Sequence, residues 1–372
     1  MKYKILVCGS GEFIYRGVES FMLNIYRNID HNIIDMDFFT PDDCKNDFFF
    51  KLSKLYGGKV IEAHSPHGKV HRGLYLIKNL KKLLKNEHYD AVHINSGNIQ
   101  AITAIMFAAY LAKVPCRIAH ANNCGLNNIK YWITKMICFP FIKLSVTDYI
   151  SCSKFSSQYV FPKSVQDRIN YIPNGIDVHK FIYDENVREE LRRQYGLKDE
   201  VVIGHVGAFV EQKNHVFLLN IFKDLLREND KYILMLHGDG NNTKYKKIAN
   251  EFGIEDKIMF MGKSDSIEKW MSVYDLFVLP SLYEGYPTVS MEAQVSGLKC
   301  LLSDTITPEV KFSDEVEFLP INKGTRCWVD KILSVKKEDR KLSKTSPIYS
   351  ADLVAVANQM QEYYINMISV QR

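Results

Sequence analysis

Two glutamates, Glu284 and Glu292, have seven residues between them in P-S-L-Y-E-G-Y-P-T-V-S-M-E-A, Pro280 to Ala293. Such a pair arises about once by chance in a chain of this length, so its setting matters more than its spacing. An apolar run, Leu276-Phe277-Val278-Leu279, precedes it. Gly285 and Pro287 lie between the two acids, and a helical pattern follows that stops at Gly297. Glu284 therefore belongs to the loop at a strand's end, and Glu292 to the next helix, with Pro287 at a favoured first-turn position. The peptide N–H groups from Thr288 and Val289 onward have no partner inside the helix and form a seat for an anion such as a diphosphate. Glu292 can accept hydrogen bonds from vicinal hydroxyls, such as those of a ribose. Glu284 meets the group beyond the phosphates.

Other strand ends offer complementary chemistry. Gly204–Asn214 reads G-H-V-G-A-F-V-E-Q-K-N. Lys213 there either serves a diphosphate as a mobile point charge or is an exposed loop lysine. His237-Gly238-Asp239-Gly240 ends another strand, where small residues would let a flat base lie against the backbone, or is an ordinary turn. His120 ends a run of apolar residues and is either a hydrogen-bonded core histidine or a group aimed at a ligand. Gly9–Glu19, with Gly11, Arg16 and Gly17, follows the first strand. Its glycines do not match the dinucleotide fingerprint, so it is a phosphate or sugar loop or a plain turn.

These loops need a scaffold. Lys4–Cys8, Met36–Phe39, Lys59–Glu62, Ala91–Ile94 and Arg117–Ala119 read as buried strands, with helices such as Leu74–Asn86 and Ile99–Ala112 between them. A second series, Val201–His205, Ile233–His237, Lys257–Phe260, Leu276–Leu279 and Lys299–Leu302, begins after the turn Ile172–Asp177. Alternating strands and helices predict parallel sheets covered on both faces. At 372 residues, two α/β domains are expected, over residues 1–172 and 173–348, with the carboxyl ends of their strands meeting in a cleft. Lys336–Pro347 reads as a polar connector and Ala351–Ile368 as a last amphipathic helix, within residues 349–372.

Composition narrows the function. Apolar residues make up 46% and charged residues 24%, globular values. The eight cysteines form no C-x-x-C pair and fit free thiols in a cytosolic protein. Met1–Glu12 reads as a strand and glycine loop, so no signal peptide is expected. The longest apolar run, Ala101–Ala112, is too short to span a bilayer. Residues 1–170 carry 22 Lys and Arg against 13 Asp and Glu, and the remainder 26 against 30. Ala91–Thr147 has no acid at all but contains Lys113, Arg117, Lys130, Lys135 and Lys143. That segment is either apolar because it is buried, or a surface for anionic lipid at the inner leaflet or for a phosphate-bearing acceptor. Scattered basic residues without a recognition motif argue against nucleic acid. No paired aspartates mark a metal–diphosphate clamp, so metal-free chemistry is expected.

Together these motifs resemble glycosyltransferase family 4, and most of all its members in bacterial capsule and exopolysaccharide operons. The resemblance runs through R-G-V-E-S at Arg16–Ser20, I-A-H-A-N-N at Ile118–Asn123, I-P-N-G-I-D at Ile172–Asp177, Gly204–Asn214, H-G-D-G at His237–Gly240, Leu279–Ala293 and Ser303–Val310. It implies the GT-B fold, two facing Rossmann-like domains with the last helix crossing back to the first. It also implies retaining, metal-independent transfer of a hexose or N-acetylhexosamine from a nucleotide sugar, UDP-linked by preference. The acceptor would be a lipid-linked or oligosaccharide intermediate. No cofactor is implied beyond the nucleotide sugar as co-substrate. His120, Lys213 and Glu284 match the catalytic positions. Gly11, Arg16, Gly17, Gly238, Gly285, Thr288, Val289 and Glu292 match the donor-binding positions. Two residues depart from the family: Ala208 stands where an arginine is usual, and Asn122 where a second histidine is frequent. Ala208 keeps a second reading open, a nucleotide-sugar-binding protein that partners an active transferase.

Overall fold

Ile5–Cys8 and Leu276–Leu279 are apolar without alternation, and all eight residues are buried. Continuous runs of this kind fill the middle of parallel sheets covered on both faces. The computed structural model describes residues 2–14, 17–66, 69–125, 129–335, 340 and 346–371, the side chains of 69–71 excepted. It divides into two compact units, Met1–Gly175 with Ala351–Arg372, and Ile176–Ser350.

The first unit holds β1 (Tyr3–Cys8), β2 (Ile34–Thr40), β3 (Val60–Glu62), β4 (Ala91–Asn95), β5 (Cys116–Ala121), β6 (Asp148–Ser151) and β7 (Ile169–Tyr171). They form one parallel sheet in the order β3-β2-β1-β4-β5-β6-β7. The second unit holds β8 (Val201–Val206), β9 (Tyr232–His237), β10 (Ile258–Gly262), β11 (Leu276–Leu279), β12 (Lys299–Ser303) and β13 (Val316–Leu319). Its parallel order is β10-β9-β8-β11-β12-β13. The expected pair of Rossmann-like parallel sheets is therefore present. Strand order reverses between β1 and β4 in one sheet and between β8 and β11 in the other. Loops leaving the two strands at such a switch point diverge and open a crevice at their carboxyl ends.

β6, β7 and β13 were not anticipated. They are short and partly polar, and their pairing comes from neighbours already in place rather than from their own pattern. The helix Leu353–Gln371 buries Val356, Ala357, Met360, Tyr364 and Ile368 in the first unit's core, beside Phe21, Ile25 and Ile150. Each large side chain of that stripe contributes about 1.5–3 kcal/mol by leaving water. Most of the connector expected over Lys336–Pro347 lies outside the described residues. Among the described residues, no helix is long and apolar enough to cross a membrane.

Candidate active site

In the second unit, β8 and β11 pair through Ile203 with Leu276 and Gly204 with Phe277. The loops after them, Gly207–Asn214 and Pro280–Pro287, are tied together. Leu282 N donates to Gln212 O at 2.8 Å, Gln212 Nε2 to Tyr283 O at 3.0 Å, and Asn214 Nδ2 to Pro280 O at 3.1 Å. Asn214 adopts φ 54°, a left-handed conformation that asparagine tolerates better than most residues.

Glu284 sits at the centre of this junction. Its Oε1 accepts from Lys213 Nζ at 2.5 Å and from Ser281 Oγ at 2.8 Å, and its Oε2 from Gln212 Nε2 at 3.1 Å. The Lys213 and Glu284 side chains are only 16% and 8% exposed. A buried carboxylate is tolerated when paired and hydrogen-bonded in this way. Ser281 O is held in turn by Ser303 Oγ at 2.6 Å and Thr305 Oγ1 at 2.8 Å, and Glu284 forms a backbone bridge with Ile306. The carboxylate is thus fixed from both flanking strands. An ammonium has three donors, so the bond to Glu284 leaves Lys213 two for an incoming anion.

Two glycines make room for this arrangement. A Cβ on Gly207 would lie 2.9 Å from Lys213 Cδ, so its absence lets the lysine stem pass over the backbone. A Cβ on Gly238 would lie 2.0 Å from Gly207 O, which only glycine avoids. Gly238 therefore has a packing role as well as the open space the sequence suggested.

The helix Thr288–Val295 begins directly after the Glu284 loop, with Pro287 at its N-cap position and no side-chain cap. Ser290 N bonds back to Pro287 O at 3.1 Å. The Thr288 and Val289 amides precede the first full turn, and the helix dipole favours an anion there. Gly285 is buried in the loop between. Glu292 lies one turn further on. It is half-buried, and burial pushes its carboxyl up to about 7, with Glu268 adding to the shift and Lys180 opposing it. Lys180 itself pairs with Glu268 at 3.3 Å. Glu292 has no hydrogen-bond partner among the described residues and remains an acceptor for a ligand's hydroxyls.

In the first unit, His120 is 0% exposed and stands next to last in β5, at the strand end where the sequence places it. Its ring stacks on His93 with centroids 5.4 Å apart and meets Phe21 edge-on at 5.2 Å. Among the described residues, neither ring nitrogen has a partner. Burial, then the neighbouring His93, holds its pKa well below the ordinary value, so the ring is neutral. His93 Nδ1 is bonded to Tyr364 OH at 2.6 Å. Among the described residues, Asn95, register partner of His120, has both side-chain polar atoms buried without partners, and Asn122 Nδ2 is likewise unpaired. Buried orphan groups are costly, and a cluster of them at the ends of β4, which borders the switch point, and of its neighbour β5 is a candidate for contact with a ligand. Gly11 O accepts from Thr40 Oγ1 at 2.6 Å, and Gly17, exposed with open space beside it, starts the helix that carries Phe21. Arg16 lies outside the described residues.

Within the second unit the structure thus joins Lys213 to Glu284, sets Gly238 directly against the Gly207 backbone, and places Thr288, Val289 and Glu292 on one helix. Sequence reasoning missed Gln212, Ser281 and Thr305 around Glu284, and Asn95 and His93 beside His120. Asn95 had a signal, a polar residue closing a buried strand. Ala208 is exposed and leaves its position without a cation. Among the described residues, no group of three or more His, Cys, Asp or Glu side chains could hold a metal.

Comparison with known proteins bears on the whole chain. Residues 15–180 match the family model for Glycosyltransferase Family 4, and residues 187–346 that for Glycosyl transferases group 1. The Bacillus subtilis protein EpsF is 32% identical over 327 residues, covering 85% of this chain and 83% of EpsF. The Escherichia coli UDP-Gal:alpha-D-GlcNAc-diphosphoundecaprenol alpha-1,3-galactosyltransferase is 26% identical over 324 residues, 80% of this chain and 82% of that one. The crystal structure of Anabaena HepE in complex with UDP and glucose superposes with a TM-score of 0.76 at 17% identity, over 98% of this chain and 100% of HepE, a likeness of fold.

Proposed function

The chain belongs to glycosyltransferase family 4 and has the GT-B fold, and from that premise we propose a retaining, metal-independent transfer of a hexose or N-acetylhexosamine from a UDP-sugar to a lipid-linked polysaccharide intermediate. The observation that carries this reading is Glu284, pinned by Lys213, Ser281 and Gln212 beside an uncapped helix start. Glu284 faces the transferred sugar and Glu292 accepts from the ribose hydroxyls. The Thr288 and Val289 amides, with Lys213, stabilise charge on the departing diphosphate, the kind of preorganised donor set that accounts for much of enzymatic rate enhancement. His120, neutral, serves the donor sugar, and Gly285 and Gly238 let the donor approach the backbone. Gly11, Arg16 and Gly17 belong to the loop by the phosphates and the acceptor. UDP as the nucleotide and a diphosphoundecaprenol-type acceptor are supported by the name of the E. coli relative and by the UDP in HepE.

Calorimetric titration with UDP-, GDP- and ADP-sugars tests the donor, and transfer to N-acetylglucosamine-diphosphoundecaprenol tests the acceptor. An α-linked product from an α-linked donor, formed equally after chelator treatment, is expected. A β-linked product or a chelator-sensitive rate would sink the retaining or the metal-free part. Ala208 favours a second reading, a nucleotide-sugar-binding partner protein. Tight UDP binding with neither transfer nor slow release of free sugar would establish it.

Glu292 adds a pH prediction. Its folded pKa lies above the unfolded one, so the native state holds the extra proton between them. Its contribution to stability therefore falls as pH rises from about 4.5 to about 7. Ribose hydroxyls donate to the ionised form. UDP affinity should then climb between about pH 6 and pH 8, and Glu292→Gln should flatten the climb while weakening binding. A UDP affinity in the unaltered protein that is level across this range would remove Glu292 from the site.

A further inference from the structure

Apart from three lysines and a threonine, the helix Ile129–Ser145 is largely apolar with no strong one-sided pattern, which suits a helix in contact with protein or lipid on more than one face. One side is indeed covered: Cys138, Ile142 and Ser145 are buried, and the helix packs along Ile99–Leu111. The opposite side is not. Ile129, Trp132, Ile133, Met136, Ile137, Phe141 and Leu144 are all exposed, from 42% to 70%. Their spacing follows the helix repeat and makes one continuous stripe nearly the full length of the helix. At about 100° per residue, exposed Lys130 and Lys143 lie toward opposite edges of that stripe, one near each end of the helix. An apolar patch of this extent is uncommon on a monomer left in water.

We propose that this helix is an interfacial anchor that lies in the plane of an anionic phospholipid surface, with the Trp132–Ile133–Met136–Ile137 stripe in the headgroup–acyl boundary and the flanking lysines on lipid phosphates. The charge pattern selects lipid as the occupant. No Asp or Glu occurs between Ala91 and Thr147, so the surroundings suit an anionic surface. A two-fold contact between two copies through this face would instead set lysine against lysine with no acid from the segment to offset them. Aromatic and long aliphatic side chains bordered by lysines are the composition of helices that lie on membranes. The proposal deepens the lipid-linked acceptor reading and rests on it for its purpose, since an enzyme seated on the bilayer meets such an acceptor directly.

The chain has its own reporter. Of its three tryptophans, Trp132 is 57% exposed, while Trp270 and Trp328 are 8% and 0% exposed. Full-length protein is mixed with vesicles of phosphatidylglycerol and phosphatidylcholine in equal parts, and with pure phosphatidylcholine. The anionic vesicles should shift Trp132 emission to the blue, brominated lipid should quench it, and salt should weaken the binding. Ile133→Glu/Ile137→Glu should reduce co-sedimentation about tenfold or more while leaving the melting temperature and UDP affinity unchanged, because both side chains are exposed and far in sequence from the second unit. The proposal is overturned if the unaltered protein does not respond to anionic vesicles, or if the double variant responds equally. It is also overturned if the unaltered protein dimerises in solution, the variant does not, and neither meets lipid; a second copy then covers the stripe. Failure of the transferase reading shows separately, as absence of binding to any nucleotide sugar by a protein that still binds vesicles.

Discussion

Lys213→Ala should lower sugar transfer by about 10²–10³-fold, the cost of losing one preorganised charge-stabilising donor. The expected loss lies at the high end because Ala208 carries no charge where the family usually places an arginine beside the lysine. The variant has a second consequence that must be separated from the first. Lys213 and Glu284 are both largely buried and bonded at 2.5 Å, and removing Lys213 leaves the Glu284 charge held, among the described residues, by Ser281 and Gln212. Breaking such a pair costs about 3–5 kcal/mol. Lys213→Met/Glu284→Gln removes both charges with similar shapes, and so should regain most of the melting temperature while remaining inactive. Lys213→Arg should rescue little, because the planar fork does not reproduce a compact ammonium lying over Gly207. Single-turnover rates with the thermal midpoint of each variant decide the matter. If Lys213→Ala and Glu284→Ala both fold and turn over near the unaltered rate, the site lies elsewhere.

How much of this was legible beforehand depended on whether each feature has a local cause. Leu276–Leu279 was readable to the residue, because a strand covered on both faces needs four apolar residues in a row. Asp148–Ser151 and Val316–Leu319 were not, since half their character comes from the strands they join. The strand–loop–helix setting of Glu284 and Glu292 could be read from Gly285, Pro287 and the apolar run. The Lys213–Glu284 bond could not, because it spans 71 residues and depends on β8 and β11 being neighbours. The same limit hid the exposure of Ile129–Ser145. A largely apolar helix with no strong one-sided pattern carries no period to show which face is covered, and Pro140 interrupts its pattern further. The lack of acid over Ala91–Thr147 signalled a special surface without showing which side chains face out.

Arg188→Ala should lower the stability of the second unit by about 3 kcal/mol, at the lower edge of the range for a broken buried ion pair. Arg188 lies on the helix Glu185–Gln194 and is nearly inaccessible. It donates to Ser272 O at 3.1 Å, Val273 O at 2.7 Å, Tyr274 O at 3.2 Å and Asp275 Oδ1 at 2.5 Å. Asp275 in turn accepts from Val202 N at 2.8 Å, so one carboxylate ties this arginine to β8 just before β11 begins. The loss is moderated because Arg340 also donates to Ser272 O at 3.1 Å and Tyr274 O at 2.7 Å, and Arg192 reaches Asp275 at 3.4 Å. Val273 O and Asp275 Oδ1 are left with the deficit. In a unit of this size the thermal midpoint should fall by about 6–12 °C, and Arg188→Lys should recover less than half, since an ammonium cannot serve carbonyls and carboxylate in one plane. The knot closes the amino ends of β8 and β11, whereas Lys213, Glu284 and the helix start sit past their carboxyl ends. Turnover at saturating donor, measured below the new midpoint, should therefore be unchanged. A midpoint within about 2 °C of the unaltered protein would show that Arg340 and Arg192 carry the junction alone, and a lost turnover with an intact midpoint would mean that Arg188 acts on the site through the strands it joins.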